Sequence, residues 1–117
     1  MDSVRKHAHT LMLHTLVSQN RLLQELHKTP RYIQDAEWDE LERVLRNTFE
    51  ITAASLRNRF PALTPGDIRL ILLSRFQFSV AESAALLGIS PTSVTKARQR
   101  LKAKLETDSI EAFLDTL

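Results

Sequence analysis

An all-α fold is predicted for this chain by three features of its sequence. Glycine occurs only twice and proline four times, which leaves little for the turns of a β architecture or for disordered linkers. Apolar residues recur at steps of three and four along most of the length, the period of one helix face. Between Thr64 and Leu105, three short helices in a row each open on a hydroxyl residue, the favoured type where a helix leaves backbone N–H groups without partners.

The first helix is expected to start at Asp2 or Ser3 and to run to about Lys28, with Met12, Leu16, Leu23 and Leu26 on one stripe. Leu11, Leu13, Val17 and Leu22 widen it. A stripe this broad needs cover from the rest of the chain or from a second copy, so Met12, Leu16, Leu23 and Leu26 are the candidate dimer contacts. Thr29, Pro30 and Arg31 break the helix. A second long helix is expected from the cap Asp35 to Phe60, where Pro61 disfavours helical geometry in the residue before it. Its apolar side carries Trp38, Leu41, Leu45, Phe49, Thr52, Leu56 and Phe60, thickened by Val44 and Ile51, and reads as core. Residues 1–60 thus form a helical hairpin or coiled-coil dimerisation element, and residues 61–117 a second domain.

In that second domain, Thr64, Pro65, Gly66 and Asp67 cap a helix over 68–76 that is apolar nearly all round and belongs at the centre of the fold. Ser79, Val80, Ala81 and Glu82 form a capping box, in which serine and glutamate each satisfy a backbone N–H of the first turn. Gly88 stops that helix, because a residue of positive φ closes a helix most easily when it has no Cβ. Ser90 caps the next helix over 91–105, and Pro91 stands at its first position, where a missing N–H costs nothing. Ala84 and Val94 suit a close helix crossing, with Leu87, Ile89, Leu101 and Leu105 on its buried side. From Thr107 onward, Ile110, Phe113, Leu114 and Leu117 give a last short helix that folds back or packs on a neighbouring subunit.

The net charge of +2 argues only weakly for a nucleic-acid partner, but its distribution says more. The segment 91–105 carries Lys96, Arg98, Arg100, Lys102 and Lys104 and no acid, while Glu106, Asp108, Glu111 and Asp115 follow it. A solvated helix face is the commoner meaning of such a run. Here the run sits on the second of two helices joined by three residues, the layout of a helix-turn-helix, whose second helix enters the major groove.

The stretch LTPGDIRLILLSRFQFSVAESAALLGISPTSVTKARQRLKAKL resembles the DNA-binding domain of LuxR-type (GerE-like) transcriptional regulators, within the winged-helix-like superfamily, and also region 4 of sigma factors. The matching pattern comprises Leu63, Thr64, Asp67, Glu82, Ala84, Leu87, Ile89, Ser90, Val94, Leu101, Lys104 and Leu105. The ending from Arg98 to Leu105 is similar to that of regulators with a helical stalk in Bacteroidetes-like bacteria, often at the cytosolic end of a larger sensor. Two positions depart from the pattern: Phe78 stands where glycine usually precedes the serine, and Ser83 where a large aliphatic usually follows the glutamate. The resemblance implies base contacts from Thr95, Lys96 and Gln99, with Ser93 and Arg100 near the backbone. Lysine can donate to guanine and glutamine can pair two-pronged with adenine, each good bidentate contact being worth about 1–3 kcal/mol of discrimination. Thr92, Arg98, Lys102 and Lys104 complete the candidate backbone contacts, with Arg98, Lys102 and Lys104 equally open to a structural role.

Other chemistries find little support. His7 and His14 share a helix face at heptad spacing, but with no acid nearby the four histidines, His9 and His27 included, read as exposed side chains and not as metal ligands. The acids Glu37, Asp39 and Glu40 lie one turn from Arg43 and Arg46 and read as surface ion pairs. No phosphate loop or nucleophile elbow is present, so neither an enzyme nor a cofactor is expected. The absence of cysteine fits a reducing compartment, and the apolar runs are too short to span a bilayer, which makes a cytoplasmic segment the expectation. The expected function is a bacterial DNA-binding regulator acting as a homodimer on double-stranded DNA. RNA polymerase and an upstream sensor domain are the further partners considered, and a protein interaction module without DNA readout is the alternative. The chain is also readable as the cytosolic fragment of a longer membrane sensor.

Overall fold

The computed structural model describes residues 19–117 as an all-α arrangement, with no strand among them. From Asn20 onward, seven helices follow in order among the described residues: α1 (Arg21–Lys28), α2 (Asp35–Phe49), α3 (Ala53–Arg59), α4 (Pro65–Arg75), α5 (Val80–Leu87), α6 (Pro91–Lys104) and α7 (Ile110–Leu114). None of the helices formed by the described residues is long and apolar enough to cross a membrane.

Helix α4 is the axis of the fold, as its all-round apolarity requires. Ile68, Leu70, Ile71, Leu72, Leu73 and the following Phe76 are all buried, and α2, α6 and α7 pack against it. Its start is a reciprocal cap: Asp67 N–H donates to Thr64 Oγ1 at 3.1 Å, and Thr64 N–H donates to Asp67 Oδ2 at 2.9 Å. Its end uses Gln77 at φ 64°, with Phe78 N–H donating back to the Leu73 carbonyl at 3.0 Å. Helix α7 folds back within the chain and buries Ile110, Phe113 and Leu114.

The N-terminal half departs from expectation at two points. Helix α1 opens at Asn20, whose side chain accepts from Leu23 N–H at 3.0 Å, so the expected helix over 2–28 is interrupted there. A short amide side chain competes with the helix for a backbone N–H and favours a cap over an interior position. The expected helix over 35–60 is likewise two helices. Glu50 turns left-handed at φ 57° and closes α2, and Thr52 caps α3 by accepting from Ser55 N–H at 3.0 Å. The β-branched pair Ile51 and Thr52 weakens the helix at this joint, and Thr52 serves as a cap where a stripe residue was expected. The cap of α2 is Gln34 and not Asp35, with Gln34 N–H donating to Glu37 Oε1 at 3.3 Å.

The division between residues 1–60 and 61–117 does not separate two cores among the described residues. Leu22, Leu23 and Leu26 of α1 and Trp38, Leu41 and Leu45 of α2 belong to the same buried cluster as α4, α5 and α6. Leu23 and Leu26 are fully buried within the single chain, which corrects their assignment as dimer contacts: this end of the stripe is covered by the chain itself. Met12 and Leu16, like His7, His9 and His14, lie outside the described residues.

Candidate nucleic-acid interface

Helices α5 and α6 are built by local rules that the sequence displays openly. Ser79 and Glu82 form the reciprocal cap, at 3.1 Å for Glu82 N–H to Ser79 Oγ and 2.8 Å for Ser79 N–H to Glu82 Oε1. Gly88 stands at φ 69°, and Ile89 N–H reaches back to the Ala84 carbonyl at 3.1 Å. Ser90 Oγ then accepts from Ser93 N–H at 3.1 Å and opens α6. Ala84 and Val94 are buried where the two helices cross, together with Leu86, Leu101 and Leu105. Ile89 departs from its expected place: the turn leaves it 44% exposed.

The polar residues of α6 divide by direction. Thr92, Ser93, Thr95, Lys96, Gln99 and Arg100 are exposed. Of these, Lys96, Gln99 and Arg100 make no side-chain hydrogen bond or ion pair with the described residues, so their donors are open to a ligand. Thr95 Oγ1 donates to the Pro91 carbonyl at 3.1 Å, so its hydroxyl hydrogen is already engaged. Ser90 Oγ donates to Ser93 Oγ at 2.9 Å, tying that hydroxyl to the cap.

Arg98 and Lys104 face the fold and take the structural role, one of the two readings the sequence left open for them. Arg98 donates to Ser74 Oγ at 2.7 Å and to Glu111 Oε1 at 2.6 Å, clamping α6 to α4 and α7. Lys104 Nζ donates to Asp67 Oδ2 at 2.6 Å, locking the end of α6 to the cap of α4. Burial pushes the Asp67 carboxyl up, but the Lys104 ammonium and the donors of Thr64 outweigh it and hold it below the ordinary aspartate range. Burial acts the same way on Glu111 and is again outweighed, by the Arg98 hydrogen bond and the nearby charges of Arg98 and Lys102, leaving its carboxyl below the ordinary value. Lys102 is half-buried beside that carboxylate, intermediate between the two groups. Arg75, at the end of α4, is the most enclosed cation: burial pushes its guanidinium down, against Asp115 at 3.4 Å, and the group lies 5.1 Å from the Phe49 ring centre.

Two features at the ends of α5 had no signal in the periodicity. His27 of α1, expected to be exposed, is half-buried and stacks on Phe78 with ring centres 3.9 Å apart and planes 5° from parallel. Its Nε2 lies 2.9 Å from the Phe76 carbonyl, and its Nδ1 lies 3.7 Å from Glu82 Oε2. The unusual Phe78 is therefore a buried docking point for the N-terminal segment, and the positive φ of this turn falls on Gln77 instead. At the other end of α5, Ile33 N–H donates to the Leu86 carbonyl at 3.3 Å, and the Tyr32 ring lies against Gly88. Among the described residues no group of histidines and acids is placed to hold a metal ion.

Comparison with known proteins adds no relative: no protein-family model matches the chain, and neither a curated protein nor a solved structure does.

Proposed function

We propose that the chain is a sequence-specific DNA-binding transcriptional regulator of the LuxR-like type, with α5 and α6 as a helix-turn-helix and α6 as the helix that enters the major groove. One observation carries the reading: on a helix without a single acid, Lys96, Gln99 and Arg100 are exposed with no side-chain partner among the described residues, while Arg98 and Lys104 tie that helix to α4 and α7. Base readout is favoured when the helix that carries the reading side chains is itself held in place, because less backbone freedom is then lost on binding. In this reading Lys96 and Gln99, with the Thr95 methyl, contact base edges. Thr92, Ser93, Arg100 and Lys102 face phosphates and supply affinity rather than sequence choice. Pairing of two copies through the segment that carries Met12 and Leu16 would set two recognition helices about one DNA turn, roughly 34 Å, apart and require a palindromic site.

The test is binding of the chain to bacterial genomic fragments across a salt series, alongside Lys96→Ala and Gln99→Ala. The expected result is retention that weakens steeply with salt, and loss of fragment preference in both variants. No binding below about 50 mM salt, where phosphate contacts are strongest, overturns the reading. A protein interaction module is the second reading, favoured by the low net charge of +2 and by the internal commitment of Arg98 and Lys104. It prevails if charge reversal at Arg100 and Lys102 leaves regulatory activity intact.

A further inference from the structure

We propose that Tyr32, from the connection between α1 and α2, is a second element of the DNA interface and donates its phenolic hydroxyl to a backbone phosphate beside the entry point of α6. This rests on the DNA-binding reading of α6 and adds to it a contact from outside the helix pair. Three of the described residues are large apolar side chains with substantial exposure, Tyr32, Val80 and Ile89, and Tyr32 is the most exposed at 59%. Its ring nevertheless has a fixed place. A Cβ built on Gly88 would come within 2.8 Å of Tyr32 Cδ2, so the ring packs against the turn that leads into Ser90 and Pro91.

The connection that carries the ring is pinned on both sides. Ile33 is buried and its N–H is bonded to the Leu86 carbonyl at the end of α5. Arg31 grips Glu37 through two hydrogen bonds of 3.0 and 2.6 Å and reaches the Tyr32 carbonyl at 3.4 Å. The phenolic hydroxyl has no partner among the described residues. It is thus an amphipathic side chain whose ring lies on Gly88, two residues before the Ser90 cap of α6, and whose donor is without a partner among the described residues. Tyrosine hydroxyls are among the side chains that position proteins on duplex phosphates. Because the donor is neutral, it releases no counterion, which separates it from every lysine and arginine contact.

The variant Tyr32→Phe keeps the ring on Gly88 and removes only the hydroxyl. The experiment uses the full chain and the tightest duplex it selects from random sequence, with affinities measured across salt for the wild type, Tyr32→Phe, Lys96→Ala and Gln99→Ala. The expected result is a loss of about ten- to a hundredfold for Tyr32→Phe, the size of one hydrogen bond to a charged acceptor, equal on selected and unrelated duplexes. Its salt slope should match the wild type, and a neutral methylphosphonate at one phosphate of the site should erase the difference between the two proteins. Wild-type affinity of Tyr32→Phe, or a loss confined to the selected sequence, overturns the Tyr32 contact. If that occurs while Lys96→Ala and Gln99→Ala still lose preference, the recognition role of α6 stands without it; if the wild type selects no sequence, both fall together.

Discussion

The outward and inward sides of α6 use similar residues to different ends. Arg98 and Lys104 are drawn to Ser74, Glu111 and Asp67, at 2.6–2.7 Å, and fasten the helix to α4 and α7. Lys96 and Arg100, from the same acid-free segment, are exposed and meet no such partner among the described residues. The difference comes from helical phase. Arg98 and Lys104 lie toward the side that Val94, Leu101 and Leu105 bury, where a long cation must find an acid or forfeit its hydration. Net charge thus overstates what a basic helix offers to DNA and understates how firmly it is held.

The division predicts opposite outcomes for stability and binding. Leu101→Ala on the inward side should cost about 2–5 kcal/mol in denaturant unfolding, the range for deleting a fully buried leucine side chain. Lys96→Ala and Arg100→Ala should stay within about 0.5 kcal/mol of the wild type. A similar cost for both sides would erase the distinction.

Asp67→Ala should come next, at about 1–3 kcal/mol, because it strands the Lys104 ammonium and removes an acceptor from Thr64 N–H. The same residue sets a pH dependence. Its carboxyl titrates below the ordinary aspartate value in the folded chain, so its contribution is complete above pH about 4 and is lost as pH falls through the lower folded value. Acid unfolding followed by circular dichroism should therefore be less steep for Asp67→Asn than for the wild type, with Glu111 contributing residual steepness of the same sign.

Much of the α5–α6 pair was legible in the sequence because its signals are local. Ser79, Glu82, Gly88, Ser90 and Pro91 each act within one helical turn, and each stands where expected. The breaks at Asn20 and Glu50 were not legible, since a cap or a left-handed residue there carries neither glycine nor proline to mark it. Periodicity told that Leu23 and Leu26 needed cover but not what covers them, and the answer is the chain's own core. The fate of Arg98 was hidden for the same reason: Ser74 and Glu111 are distant in sequence and meet it only through the packing of α4 and α7. Phe78, in a position that glycine commonly takes in the resembling family, became intelligible only with His27 stacked upon it.

A smaller effect sharpens the role of the turn. Gly88→Ala should cost about 1–2 kcal/mol from its positive φ, measured by thermal unfolding, and displacement of the Tyr32 ring should add to that. The double variant Gly88→Ala with Tyr32→Ala should recover the second part alone. Smallest in stability is Arg100→Ala, whose expected signature is a DNA-binding salt slope reduced by about one.

The most direct measurement is a titration of the chain with a duplex it selects, followed through backbone and side-chain NMR shifts. The largest changes are expected at Thr92, Thr95, Lys96, Gln99 and Arg100, with the Lys104 ammonium and the Arg98 guanidinium unmoved on their inward partners. Shifts confined to α2 or α7, or none at low salt, would contradict the recognition role of α6.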